Sequence, residues 1–164
     1  MYKIGDFVIN INNGICEIKD IVSMNISGSN KDYYLLVPVE EKTAKIYIPV
    51  DNATQRIRCT MSEEEVWSLI RGIKDIPEVY IDNEKEREKI YKEALSSLDP
   101  KQLISIIKTL YLRRQKRLDE GKKTTAVDER YFKLAEKYLH AEIAYVLGVE
   151  KSEVQQIIVE HITS

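Results

Sequence analysis

The chain has 164 residues, 43% hydrophobic and 32% charged, with a formal net charge of −2. That is room for one ordinary domain or two small ones, and the near-neutral balance excludes a globally basic nucleic-acid binder. No stretch approaches the roughly 20 apolar residues of a membrane-spanning helix, and Met1-Tyr2-Lys3-Ile4-Gly5-Asp6 lacks the basic and apolar regions of a signal peptide, so no membrane contact and a cytoplasmic location are expected.

The first 59 residues read as β structure. Phe7-Val8-Ile9, Ile15-Cys16-Glu17-Ile18, Tyr33-Tyr34-Leu35-Leu36-Val37 and Ala44-Lys45-Ile46-Tyr47-Ile48 are short runs rich in β-branched and aromatic residues. Asn12-Asn13-Gly14, Ser27-Gly28-Ser29-Asn30 and Glu40-Glu41-Lys42 are the turns between them. Strands this short and close together predict a small, strongly bent barrel. Cys16 and Cys59 have no metal-ligand spacing and are expected to be buried thiols.

After Cys59 the pattern turns helical. Ser62 and Glu65 have capping-box spacing, and Val66, Leu69, Ile70 and Ile73 follow as an apolar stripe. Pro77 interrupts, and a charged helix is expected from about Asn83 to Ser97. Asp99-Pro100 restarts the helix, with Leu103, Ile106, Ile107, Leu110 and Tyr111 as its core face. Thr125 opens another, with the stripe Tyr131, Leu134, Ala135, Tyr138, Ala141 and Tyr145, and Gly148 closes it. A last helix spans about Lys151 to His161. The predicted class is α+β: a β domain over 1–59, then about five helices over 60–164.

Little here carries catalysis. His140 and His161 lie in predicted helices without a motif partner, and no nucleophile elbow, phosphate loop or dinucleotide fingerprint occurs. No catalytic residue, metal ligand or cofactor is expected. Charge distribution is more informative. Residues 101–123 hold 8 basic and 2 acidic side chains, net +6, while residues 60–100 hold 6 and 11, net −5. Arg113, Arg114, Lys116 and Arg117 lie on one predicted helix, and Lys122 and Lys123 follow in the linker. They are candidate phosphate contacts; the commoner role of such a cluster is to solvate a helix end, where cations also favour the dipole.

Particular residues point to a family. Ile4-Gly5-Asp6-Phe7-Val8-Ile9, Asn13-Gly14-Ile15, Ile18, Gly28, Tyr33-Tyr34-Leu35, Ile48-Pro49-Val50-Asp51-Asn52 and Arg58, in this order and spacing, resemble the CarD/CdnL family, whose N-terminal module is shared with transcription-repair coupling factors. Leu95-Ser96-Ser97-Leu98-Asp99, Leu110 to Arg114, and Leu139-His140-Ala141-Glu142-Ile143-Ala144 extend the resemblance over nearly the whole chain. It implies a Tudor-like barrel that binds the RNA polymerase β subunit. It also implies a helical domain that contacts promoter DNA, weakly and without sequence specificity, at the upstream edge of the bubble to modulate open-complex formation. Such a protein acts without catalysis, associates with the nucleoid and is expected to be a monomer.

The sequence departs from the family pattern in four places. Asn10 and Ile11 stand where the family commonly has Tyr-Pro. Met24 and Tyr47 match positions that carry arginines at the polymerase face of actinobacterial members. Glu84 matches those members' minor-groove tryptophan, and Trp67, the one tryptophan, reads as a core residue. A late basic position falls at Glu129 or Arg130. Arg87 and Lys89 keep basic family positions. The expected polymerase contacts are therefore Met24, Lys45 and Tyr47. The expected DNA contacts are Arg87, Lys89, Arg113, Arg114, Lys116, Arg117, Lys122, Lys123 and Arg130. Two readings compete with the polymerase-and-DNA regulator: a polymerase-binding adapter that barely touches DNA, and a small-molecule enzyme.

Overall fold

The computed structural model describes residues 1–81 and 83–164. The described chain divides into two compact units, Met1–Thr60 and Met61–Ser164.

The first unit is a five-stranded antiparallel sheet of β1 (Phe7–Asn10), β2 (Gly14–Ile26), β3 (Ser29–Pro38), β4 (Ile46–Pro49) and β5 (Ile57–Cys59), in the order β4-β3-β2-β1-β5. It has the Tudor-like make-up that the resemblance implies. Val8, Cys16, Ile18, Tyr34, Leu36, Ile48, Ala53 and Ile57 form its core. Ser27 and Gly28, at φ 53° and 80°, make the two-residue turn between β2 and β3. Both residues of such a turn need positive φ for the strands to keep their twist. The register shifts between Ile18 and Asp20, a bulge that bends β2 and turns its second half relative to the core. β2 and β3 are longer than their apolar runs predict, because polar residues such as Asn25 and Asn30 pair near the hairpin tip.

Asn10 shows why the expected Tyr-Pro is dispensable here. It is buried; its Nδ2 donates to the Arg56 carbonyl at 3.2 Å, and its Oδ1 accepts from Asn13 Nδ2 at 2.6 Å. The backbone N–H of Ile11 also donates to the Arg56 carbonyl, at 3.1 Å, a bond that proline could not make. Cys16 is buried as expected, and burial pushes its thiol up to about 12. Cys59 corrects the expectation: it is exposed, because it ends a three-residue strand at one end of the sheet.

The second unit holds α1 (Glu63–Arg71), α2 (Glu84–Ser96), α3 (Pro100–Asp119), α4 (Ala126–Leu147) and α5 (Lys151–Thr163). The caps follow the sequence signals. Ser62 and Glu65 form both halves of the capping box, Asn83 accepts from the Glu86 amide, Asp99 accepts from the Lys101 amide, and Gly148 ends α4 in the left-handed conformation. The core joins Val66, Ile70 and Ile73 to Leu103, Ile107, Leu139, Ile143, Val154 and Ile158, and half-buried Trp67 packs against it. On α4 the predicted Tyr131, Ala135 and Ala141 are buried, and so are Phe132, Leu139 and Ile143, whereas Tyr145 is 44% exposed. The buried surface is wider than the predicted stripe, because α4 is apolar on several sides and packs against α1, α2, α3 and α5.

Two buried polar side chains were invisible to periodicity. Lys108 Nζ donates to the carbonyls of Ile73, Lys74 and Ile76 at 2.8, 3.2 and 2.8 Å, stapling the segment after α1 to α3. His140 is 5% exposed, its Nε2 has no hydrogen-bond partner, and Glu136 lies 4.0 Å away, beyond bonding distance. Burial pushes the imidazole down from 6.5 to about 4. The unfolded chain therefore takes up this proton near pH 6.5 while the folded chain refuses it until about pH 4, so stability falls as pH drops through that window. Burial raises Glu136, which acts in the opposite sense. The expected loss at His140 is about 3 kcal/mol. Urea unfolding of wild type and His140→Gln at pH 7 and pH 4 checks it: the substitution should remove most of the acid-induced difference.

Candidate functional site

Alternation along β2, β3 and β4 sorts their side chains onto two faces. Ile18, Leu36, Tyr34 and Ile48 point to the core. The other face carries Val22 opposite Tyr33, Met24 opposite Lys31, Leu35 opposite Tyr47, and Tyr33 opposite Pro49. Val22, Met24, Tyr33, Leu35 and Pro49 are half-buried, and Tyr47 is 43% exposed. This is an apolar, partly exposed sheet face. Met24 and Tyr47 both belong to it, their β3 partners four residues apart, about 13 Å along the strand. Lys45 is exposed just before β4. β4 stands at one end of the strand order, with β3 as its ladder partner. Sequence reading found Met24 and Tyr47 but missed Val22 and Tyr33, since β2 reads as ending at Ile18. The alternation Val22, Met24, Ile26 was the available signal.

In the helical unit the basic residues do not form one row. Arg113 is half-buried, and its Nε donates to Asp128 Oδ2 at 2.6 Å. Asp128 is buried and accepts from the Tyr91 hydroxyl at 2.9 Å through its other oxygen. A carboxylate there needs both donors, since burial without them is costly. Burial, with Asp128 beside it, pushes the Tyr91 phenol up to about 12. Glu84 Oε1 accepts from Arg87 Nε at 3.0 Å and from Arg113 Nη2 at 3.4 Å. Burial works against the Arg87 charge, but bonds to Tyr91 and Glu84 outweigh it and raise its pKa. The network thus ties α2, α3 and α4 together.

The remaining cations diverge. Arg130 donates to Glu88 Oε1 at 2.7 Å and lies over the Tyr131 ring at 4.8 Å. The Tyr131 hydroxyl bonds the same Glu88 oxygen at 3.0 Å, and that bond first, then Lys92 and Arg130, holds the Glu88 carboxyl below its usual range. Arg117 folds back to donate to the Lys123 carbonyl at 2.9 Å, and Lys122 pairs with Glu120 at 3.3 Å. Arg114 is exposed and acts on Glu136 of α4, while Lys89, Lys116 and Lys123 are exposed. Lys116 lines a cleft of about 310 Å³ with Arg87, Arg113 and Tyr80. Tyr80, 86% exposed, was missed because no periodic pattern marks it.

Removing one partner of a buried ion pair costs about 3–5 kcal/mol, whereas exposed substitutions stay within about 0.5 kcal/mol. Arg113→Met should therefore destabilise the protein by about 3 kcal/mol in urea unfolding, and Lys116→Ala or Lys123→Ala by less than about 0.5 kcal/mol. A loss below about 1 kcal/mol for Arg113→Met would show that the network does not hold the bundle.

Comparison with known families gives two matches. Residues 2–60 match the CarD-like/TRCF RID domain, and residues 68–159 match the CarD C-terminal domain. A search of curated proteins finds no match. The two matched segments fall one in each compact unit and the second alone spans more than half of the chain, so the chain belongs to the CarD-like family of RNA polymerase-interacting transcription regulators.

Proposed function

We propose that this protein binds the RNA polymerase β subunit through the outer face of β2, β3 and β4, contacts promoter DNA with its helical unit, and modulates open-complex formation without catalysis. The observation that carries the reading is the apolar face of Met24, Tyr33, Leu35 and Tyr47 beside the end strand β4, inside the segment matched to the CarD-like/TRCF RID domain. An end strand can accept a partner strand through its backbone, while side chains on the adjacent face set specificity. With Met24 and Tyr47 at this face the contact is chiefly apolar, so its affinity should depend little on salt.

For DNA, the exposed Lys89, Arg114, Lys116 and Lys123 are the favoured contacts. Arg87, Arg113 and Arg130 already serve carboxylates of the chain itself. With Arg87, Arg113 and Arg130 so committed and acidic residues close by, binding to free DNA should be weak; tethering through polymerase raises the local concentration and makes weak contacts sufficient. The same pairing favours a second reading, an adapter with little direct DNA contact. A flat salt dependence of promoter binding by the polymerase-bound protein would select the adapter, since each phosphate contact that forms releases counterions and adds to the slope.

Tyr47→Glu places a charge in the apolar face and should weaken binding to the isolated β subunit at least tenfold, with folding unchanged by circular dichroism. Undiminished affinity in a pull-down or by calorimetry would remove this face from the polymerase site.

A further inference from the structure

The path of the chain from α1 to the start of α3 leaves a trough that the polymerase-and-DNA reading does not use. A cleft of about 630 Å³ lies between α1, which lines it with Glu65, Ser68 and Leu69, and the first residues of α3, Pro100 and Lys101. A second cleft of about 350 Å³ is lined by α2 and α3 residues such as Ile90, Ala94 and Ile106. The two meet at Ile76, Pro77 and Lys101, which line both, and each has the size of a binding cleft. The surface is mainly apolar. Met61 and Leu69 are buried, and Ile76, Val79 and Ile90 are half-buried against the core.

Two features say what fits there. The first is that the trough is preformed. Lys108 holds the carbonyls of Ile73, Lys74 and Ile76, and Ser105 Oγ donates to the Pro77 carbonyl at 3.2 Å. The segment is thus fixed to α3 before anything binds, which keeps the ordering cost of binding low. Its walls are helices, whose backbone groups bond within themselves, so an extended chain finds no strand edge to pair with. An occupant must bring its own backbone bonds, as a helix does. The second feature is charge. Glu65, Asp75 and Asp99 line the first cleft and Glu93 the second, against Lys101 as the cation of both. Glu65 Oε1 and Asp99 Oδ1 accept from backbone amides, which fixes these carboxylates in place. Apolar area beside fixed carboxylates repels a polyanion and attracts a cationic, amphipathic partner.

We infer that this trough docks a basic amphipathic helix of a partner protein: apolar side chains on one face of that helix fill the two clefts, and lysine or arginine side chains beside them pair with Glu65, Asp75 and Glu93. The contact depends on neither the polymerase face nor the cations proposed for DNA. The same carboxylates turn away nucleic acid and acidic helices, so charge sets the specificity of the site.

The test uses the full-length protein and a fluorescein-labelled lysine–leucine peptide of about 14 residues, the length at which an isolated helix becomes viable. Its leucines follow the i, i+3, i+4, i+7 spacing of an amphipathic helix. One control peptide has the same composition in shuffled order, and the other has glutamate in place of lysine. Fluorescence anisotropy should show the first peptide binding roughly tenfold more tightly than either control. Ser68, Asp75 and Glu160 are exposed, so substitutions there leave the fold intact. Ser68→Arg, which puts bulk and a cation into the first cleft, and Asp75→Lys, which reverses its charge, should each weaken binding roughly tenfold with the urea midpoint unchanged. Glu160→Lys makes the same charge change on α5, outside the trough, and should leave binding as it was. Affinity unchanged by both trough variants, or weakened equally by Glu160→Lys, would overturn the site. Equal binding of the shuffled peptide would overturn the helical occupant. Self-association of the free protein in sedimentation velocity, abolished by Ser68→Arg, would assign the trough to a second copy of this chain instead.

Discussion

Asp128 is the buried charge around which the helical unit is arranged. It is 3% exposed, and a carboxylate in that position is tolerable only when strong donors reach both oxygens. Tyr91 comes from α2 and Arg113 from α3, so satisfying one side chain of α4 fixes three helices against one another. The same constraint places Glu84, the first residue of α2, against Arg113 and Arg87. A chain rich in arginine and lysine thereby uses much of its positive charge on itself. What it offers to a polyanion depends on which cations the network leaves over.

The β unit answers a different physical problem. The five-stranded sheet packs one face into a small core around Val8, Cys16, Ile18, Tyr34, Leu36, Ile48, Ala53 and Ile57, and its second face is not covered to the same degree. The bulge at Ile18/Asp20 separates the roles within one strand. Before it, Cys16 and Ile18 serve the core; after it, Val22 and Met24 join Tyr33, Leu35 and Tyr47 on the outer face. Met24 and Tyr47 give that face an apolar character.

The two surfaces therefore rest on unlike forces. The sheet face offers apolar area next to a strand end, where affinity comes from desolvation and backbone pairing. The helical unit offers exposed cations beside others already paired to its own carboxylates, and any contact of theirs with a polyanion weakens as salt rises.

Much of the fold was legible in the sequence, because its signals are local. Ser62 with Glu65, Asp99 with Pro100, and Ser27 with Gly28 each act over a few residues, and the structure places a cap or turn at all of them. The ordered match of short segments identified the family for the same reason: it depends on residue order alone. The site was legible only in part. The match to family positions marked Tyr47 and Met24, but the fate of each cation depended on carboxylates distant in sequence. Arg113 meets Asp128 15 positions away, and Arg130 meets Glu88 42 positions away. The exposure of Cys59, the wider buried face of α4, the buried Lys108 and the outward ring of Tyr80 likewise follow from which elements pack together. Sequence by itself determined the elements and their order, since turns, caps and periodicity are short-range. Only the tertiary structure decided which charges remain free to bind, since ion pairing is set by distance in space.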